Sequence, residues 1–405
     1  MSADLRERLE RVTAGAGNGR TGQPEIGDAS AAAGRGRAAV SRGSGPTAAM
    51  SQAWVGRPSE TAPDRGKVPP RAWPHATPFE TRERRIDLAA LGLEVVGQGA
   101  PDPGVLVHLG LRGEPPARWE DILFLDTETT GLSGGTGTYV FLLGTAHFED
   151  GELVLRQHLL NDLGAERAFM GFIAGELDKF RACASYNGKC FDLPLLRSRF
   201  VMTIRTELSV DESHLDLLHP ARRLWRGRFG SVTLRQIEES VLDDGRTDDI
   251  PGALIPDRYF RYLRNGDATL VEPILRHNAR DVVSLVRVAD RVASAVIAAR
   301  AGRAPDHAPA ALALARAFER TKELEAAFCC YESAYVEGNL DVRVRAALPY
   351  AKALERRGDV ARAFALVETL FELGLGTPTW RVSAEARLRR LRRLARRAAT
   401  VTSVA

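Results

Sequence analysis

Asp126 and Glu128 close the apolar run ILFLDTET and stand two positions apart, so on a strand both carboxylates project from one face. Like charges held that close repel one another, and the pair calls for a positive partner. Two further acids stand where they could share it. Asp192 follows the turn residues of YNGKCFDLPLL at a helix start, and Asp281 lies in HNARDVVSL on a long helical stretch. His277 precedes Asp281 by one helical turn, so the two share a helix face. Four carboxylates converging from one strand and two helices make an oxygen cage suited to hard cations such as Mg²⁺ or Mn²⁺. Two such ions about 3.5–4 Å apart can activate a water and stabilise the leaving oxygen of a phosphodiester.

The elements that must position these residues read as an α/β unit. DILFLD is a short buried strand, and open α/β sheets place ligands where such strands end. YVFLLGTAHFEDGELVLRQHLL reads as a hairpin turning at Glu149, Asp150 and Gly151. AERAFMGFIAGELDKF has helical apolar spacing, and RACASYNGKCFDLPLLRSRF reads as strand, Asn187-Gly188 turn and helix. GVLVHLGL at 104–111 reads as a short strand, and Ser231 as the N-cap of the helix SVTLRQIEESVL. The segment from Ala268 to Val296 is one long helix, expected to kink at Pro273. Residues 1–77, rich in Gly, Ala, Ser, Pro and Arg, cannot bury enough apolar surface to offset ordering entropy and read as a disordered tail. The ordered α/β unit then covers 78–300. From 308 to 399 the texture is Ala-rich helix, and the pattern beginning at Ala310 recurs from Ala346, a spacing of about 36 residues near the tetratricopeptide period. Two helical hairpins are expected, followed by the basic amphipathic helix RVSAEARLRRLRRLARRAA, read as a cap on the repeats with its charge as a secondary aid to phosphate attraction.

DTETTG, YNGKCFDLPLL and HNARDVVSL, in that order, resemble the three motifs of the DEDD 3′–5′ exonucleases, and FLDTETTGLSGGTGTYVFLLG with the NGK-x-FD motif resembles the YprB-like ribonuclease H-like proteins. The resemblance implies an RNase H-like fold with a mixed central sheet flanked by helices, plus a C-terminal all-α helical-repeat region. It implies a 3′–5′ exonuclease acting on DNA or RNA by a two-metal mechanism, with Asp126, Glu128, Asp192 and Asp281 as ligands of two Mg²⁺ or Mn²⁺ ions. It also implies that Thr129, Gly131 and Leu132 contact the terminal nucleotide of a single-stranded 3′ end, Leu132 by packing on its base. His277 has the spacing of the subgroup in which a tyrosine orients the attacking water; an imidazole there can orient the water or take its proton. Arg276 fills the slot where the histidine subgroup has its own base.

Weaker signals surround this core. Asn187 and Lys189 either contact phosphate or are a turn asparagine and a solvated lysine. SGGTGT at 133–138 lacks the P-loop lysine, which argues against nucleoside triphosphate; it reads equally as a substrate loop or a flexible turn. His214 and Asp216 form a His-x-Asp that reads as a local hydrogen-bonded pair. Arg222, Arg223, Arg226 and Arg228 with Trp225 and Phe229 read either as a single-strand-binding surface or as a solvated helix face.

The 405 residues are 44% hydrophobic and 27% charged, which suits a soluble globular protein of two or three domains. No apolar run reaches the ~20 residues of a membrane span. MSADLRERLERV has no secretory apolar core, so a cytoplasmic location is expected. Four cysteines show no metal-ligand spacing and read as reduced thiols. The net charge of +4 permits a nucleic-acid partner without demanding one, and helical repeats of this kind can also carry a protein partner. A structure-selective endonuclease on the same fold and a non-catalytic interaction module are the rival readings; retention of all four carboxylates argues against the second.

Overall fold

The computed structural model of the protein describes residues 77–131, 137–208, 213–247 and 249–402, with side chains to 396 in the last helix. The expected N-terminal tail lies outside these residues except for Thr77, as do Leu132 and residues 133–136 of the Gly-rich loop. The chain divides into two compact units, one ending at Ile297 and the other running from Ala298.

The first unit is built on a mixed six-stranded sheet. It opens with β1 (Phe79–Asp87), the one-turn α1 (Leu88–Leu91) and α2 (Pro103–Leu109), followed by β2 (Ile122–Thr129), β3 (Val140–Glu149) and β4 (Glu152–Leu160). Then come α3 (Glu166–Leu177), β5 (Ala182–Ser185), α4 (Asp192–Ile204), β6 (His214–Asp216), α5 (Leu218–Phe229), α6 (Leu234–Ser240), α7 (Ile255–Asn265) and α8 (Glu272–Arg300). The strand order is β1-β4-β3-β2-β5-β6. The first four pair antiparallel through the hairpin, whereas β5 and β6 run parallel to β2, each reached by a helical crossover. The hairpin turns at Asp150 and Gly151, both at positive φ, as a two-residue turn requires.

Helices cover both faces of the sheet. Phe169, Met170 and Ile173 of α3, Leu193, Leu196 and Phe200 of α4, and Ile274 and Leu275 of α8 share one buried cluster with Phe141, Leu143 and Leu159. Tyr259 of α7 stacks on Phe141 with ring centres 3.8 Å apart, and its hydroxyl donates to the Leu160 carbonyl at 2.8 Å. That bond keeps a fully buried phenol satisfied.

Three local expectations are corrected. Residues 103–109 are a helix rather than a strand: Asp102 caps it by accepting from Val105 N, Pro103 starts it and Gly110 ends it at positive φ. Val105, Leu106 and Leu109 are buried together, so the apolar run served a helix face, which short apolar runs cannot distinguish from a strand. Thr233, not Ser231, caps α6, its hydroxyl accepting from Gln236 N. Pro273 is the second residue of α8, where no amide is needed, so it starts the helix instead of kinking it.

The second unit is all helical: α9 (Ala308–Arg320), α10 (Leu324–Glu337), α11 (Leu340–Arg356), α12 (Val360–Glu372) and α13 (Pro378–Thr402). Alanines are buried along these helices, among them Ala311, Ala315, Ala347 and Ala351. Glu319 gathers Tyr331, Lys352 and Arg356, and Glu355 gathers Arg387 and Arg390 of the last helix. The basic helix packs on α12 and buries Leu388 and Leu391. Cys329 and Cys330 stand side by side on α10, Cys330 buried. Among the described residues no helix is long and apolar enough to cross a membrane.

His158 of β4 is 1% exposed and bonds Thr81 Oγ1 of β1 through Nδ1 at 2.9 Å. Burial lowers its pKa to about 4. The unfolded chain therefore binds a proton that the folded one refuses, so this residue's contribution is intact above about 6.5 and is lost as pH falls toward 4. His158→Gln should reduce the stability lost between pH 7 and pH 4.5 by on the order of 1–3 kcal/mol, read as the difference between urea unfolding curves of the two proteins.

Candidate active site

β2 begins with four buried apolar residues and becomes partly exposed at Asp126. β5 pairs with it only from Ile122 to Phe124, so the edge of β2 beyond that point lacks a strand partner on that side. The edge is taken by Asp192, the first residue of α4, whose Oδ1 accepts from Thr127 N at 3.2 Å and Thr127 Oγ1 at 2.5 Å. Asp192 is presented by the turn before it. Asn187 sits at positive φ, and a Cβ on Gly188 would fall 2.0 Å from Ser185 Oγ and 3.2 Å from Asp192 Oδ2. Asp216, buried at the end of β6, accepts from the backbone N–H of Asn187, Lys189 and Leu218 and so pins the turn. His214 bonds Ser185 Oγ at 2.8 Å, so both residues of the His-x-Asp brace this turn.

On the other side of β2, Asp126 lies opposite Gly144 of β3, and Gly144 opposite Gln157 of β4. The missing side chain at 144 leaves the space that Asn278 of α8 occupies. Asn278 Nδ2 donates to Asp126 Oδ2 at 2.9 Å, and Asn278 Oδ1 accepts from Gln157 Nε2, also at 2.9 Å. A fully buried amide is thus used from both ends. Next to it, His277 turns Nε2 toward Glu128 Oε1 at 3.8 Å and Asp281 Oδ2 at 3.6 Å.

The structure brings Asp126, Glu128, Asp192, His277 and Asp281 into one neighbourhood. Removal from water, then the charges of Asp281, Asp192 and Glu128, push the Asp126 carboxyl well above its usual range, and only the Asn278 bond works the other way. Burial likewise pushes Glu128 up to about 8 against the opposing pull of His277. Asp192 is raised by burial and partly relieved by Thr127. Burial pulls His277 down, but the bond to Asp249 and the charges of Asp281 and Glu128 prevail and lift it to about 9. Among the described residues no three His, Cys, Asp or Glu side chains stand ready in metal-holding geometry. The donor set nevertheless has the chemistry a hard divalent ion takes: oxygen ligands that repel one another until a cation is shared.

Glu128, Asp192 and His277 line a cavity of about 550 Å³ together with Thr127, Thr129 and Gly131. Thr129 Oγ1 donates to the Gly131 carbonyl and Thr130 Oγ1 accepts from Tyr139 N, which ties the strand end. Asn187 and Lys189 are partly buried but are not among the residues lining this cavity. The far wall includes Phe191, 62% exposed, with Leu195, Ile255 and Pro256. Sequence reasoning passed over these, and also over Asn278, Arg246 and Asp249. Asn278 is adjacent to a residue that was read, but an asparagine on a polar helix stretch gives no signal until its partner is known. Arg246 and Asp249 come from DDGRTDDI, which reads as an ordinary charged loop.

With the geometry in place, comparison with known proteins decides the fold family of this region. Residues 123–293 match the RNase_H_2 family model of the RNase_H superfamily. They form an RNase H-like domain. The uncharacterised protein YprB of Bacillus subtilis (strain 168) is 36% identical over 209 residues, 51% of this chain and 50% of that protein. This chain therefore spans about half the length of that relative. The solved family B DNA polymerase of the archaeon Pyrobaculum calidifontis aligns over 53% of this chain and 28% of its own at 17% identity, with a TM-score of 0.32. The carboxylates, His277 and Asn278 all fall inside the matched span of the RNase H-like domain.

A Cβ at position 144 would stand 2.1 Å from Asn278 Oδ1. Gly144→Ala should expel the Asn278 amide from between β3 and Asp126 and cost about 1–3 kcal/mol, the penalty of leaving buried polar groups unpaired. Gly171→Ala in α3, with nothing within 4 Å of the new carbon, should be neutral or stabilising. Chemical denaturation of the two variants checks the pair; equal midpoints would remove Gly144 from this account.

Proposed function

We propose that the protein hydrolyses phosphodiester bonds from the 3′ end of a nucleic-acid strand, DNA or RNA, with two divalent ions, Mg²⁺ or Mn²⁺. The observation that carries this reading is the gathering of four carboxylates at the end of β2, beside a cavity of about 550 Å³, within an RNase H-like domain. Asp126, Glu128, Asp192 and Asp281 are the residues that would hold the ions. When bound, such ions neutralise developing charge and make a water more acidic.

The chain's own residues do the rest. His277 Nε2 faces the carboxylates and is placed to orient the attacking water or to take its proton. Thr129 and Gly131 leave the strand end open to a terminal sugar, and Leu132 follows them directly in sequence. Phe191 offers an exposed aromatic face on which a base can stack, with Leu195 and Ile255 as apolar floor. Asn187 and Lys189 are assigned to the phosphate of the incoming strand. A single strand fits this role, because an unpaired end can splay its last base into the cavity. The helical unit, tetratricopeptide-like in its repeat, is assigned to a protein partner.

Purified protein with Mn²⁺ or Mg²⁺ should shorten 5′-labelled single strands stepwise, and EDTA should stop it. Asp126→Asn and Asp192→Asn should reduce turnover to background with the fold retained, and His277→Ala should lower kcat by about 10²–10⁴. Mn²⁺ should raise the melting temperature of the wild type. Glu128→Gln removes one of the residues assigned to the ions, so its melting temperature should gain less from Mn²⁺ than that of wild type. Cleavage of covalently circular strands, or activity indifferent to EDTA, would overturn the proposal.

A further inference from the structure

Arg246 and Asp249 reach the candidate site from the stretch between α6 and α7, and none of the roles assigned so far uses them. Arg246 has a side chain only 3% exposed. Its guanidinium holds Glu238 through two bonds, at 2.5 and 2.7 Å, donates to Asp249 Oδ2 at 2.7 Å, and pairs with Asp281 Oδ1. Glu238 is fully buried and also accepts from Ser284 Oγ of α8, so the anchor is fixed from both sides. Asp249 Oδ1 lies 2.6 Å from His277 Nδ1.

The last distance decides where the imidazole proton sits. A carboxylate oxygen only accepts, so a bare Nδ1 would set two lone pairs face to face at 2.6 Å. Arg246 Nη1 is 3.1 Å from the same nitrogen and could donate to it only in that repulsive arrangement. Nδ1 therefore keeps its proton, and Nε2 is the nitrogen that can be bare, the one turned toward Glu128 and Asp281. We infer that Asp249 is a positioning residue that fixes the tautomer and ring orientation of His277, and that Arg246 holds Asp249 and Asp281 in register with it. Through Asp281 Oδ1, Arg246 also leaves Oδ2 as the oxygen turned to the site. This assignment rests on the proposed role of His277.

Asp249→Asn tests it because its shape is preserved. Arg246 demands an acceptor, so the amide turns its oxygen to Arg246 and its NH₂ to Nδ1, and the ring must move its proton to Nε2. The full chain, labelled with ¹⁵N-histidine and assigned through His277→Gln, should show the neutral His277 ring protonated on Nδ1 in wild type and on Nε2 in Asp249→Asn. With single-stranded substrate, kcat should fall about 10²–10⁴-fold while KM and Mn²⁺ affinity by calorimetry stay within threefold. Arg246→Lys, which keeps the charge but loses the fork, should lower kcat as well, with the Mn²⁺ affinity reporting on Asp281. A neutral wild-type ring that carries its proton on Nε2 instead of Nδ1, or an Asp249→Asn kcat within threefold of wild type, overturns the inference. If wild type itself cuts no strand, the nuclease reading fails, while the ring-proton measurement still decides the positioning role.

Discussion

Carboxylates gathered at the end of a buried strand repel one another more strongly than they would in water, because the surrounding protein screens them poorly. Much of the first unit can be understood as a response to that constraint. Thr127 gives both its backbone N–H and its hydroxyl to Asp192, Asn278 gives an amide to Asp126, and Arg246 gives its guanidinium to Asp281 and Asp249. Each donor is in turn held by another group, so the acids are fixed in direction even though their charges are not cancelled. Three of them keep carboxyls raised above their usual range, which marks the place as one still short of positive charge.

The support comes from sheet topology as much as from side chains. β5 ends early beside β2 and vacates an edge that α4 fills with Asp192. Across the antiparallel side, the register places Gly144 between Asp126 and Gln157, and a helix side chain lies in the furrow so made. A strand neighbour of any ordinary size there would close the furrow. The mixed sheet therefore treats its two flanks differently: the parallel flank supplies a helix start, and the antiparallel flank supplies a recess.

Much of this was legible in the sequence. The apolar run ending at Asp126, the Asn187-Gly188 turn before Asp192 and the His-x-x-x-Asp face of α8 are local patterns, and local patterns survive without coordinates. The hairpin, the long helix and the alanine-rich array were legible for the same reason. What escaped depends on partners distant in the chain. Gly144 reads as a weak point in a strand until Asn278 is seen against it. Arg246 and Asp249 read as loop charge until Glu238 is found buried beneath them. Residues 103–109 escaped for a different reason, since an apolar run of that length satisfies both periodicities and only the Asp102 cap and the Gly110 stop settle it.

The bond from Asn278 to Asp126 joins residues 152 positions apart, and this bears on the order of synthesis. At about 5–20 residues per second, Asp126 is made roughly 8–30 s before Asn278. During that interval β2, β3 and β4 can pair, but the recess over Gly144 has no occupant and the strand end has no amide to receive its charge. A nascent chain thus carries Asp126 and Glu128 without Asn278, His277 and Asp281 until α8 has been made.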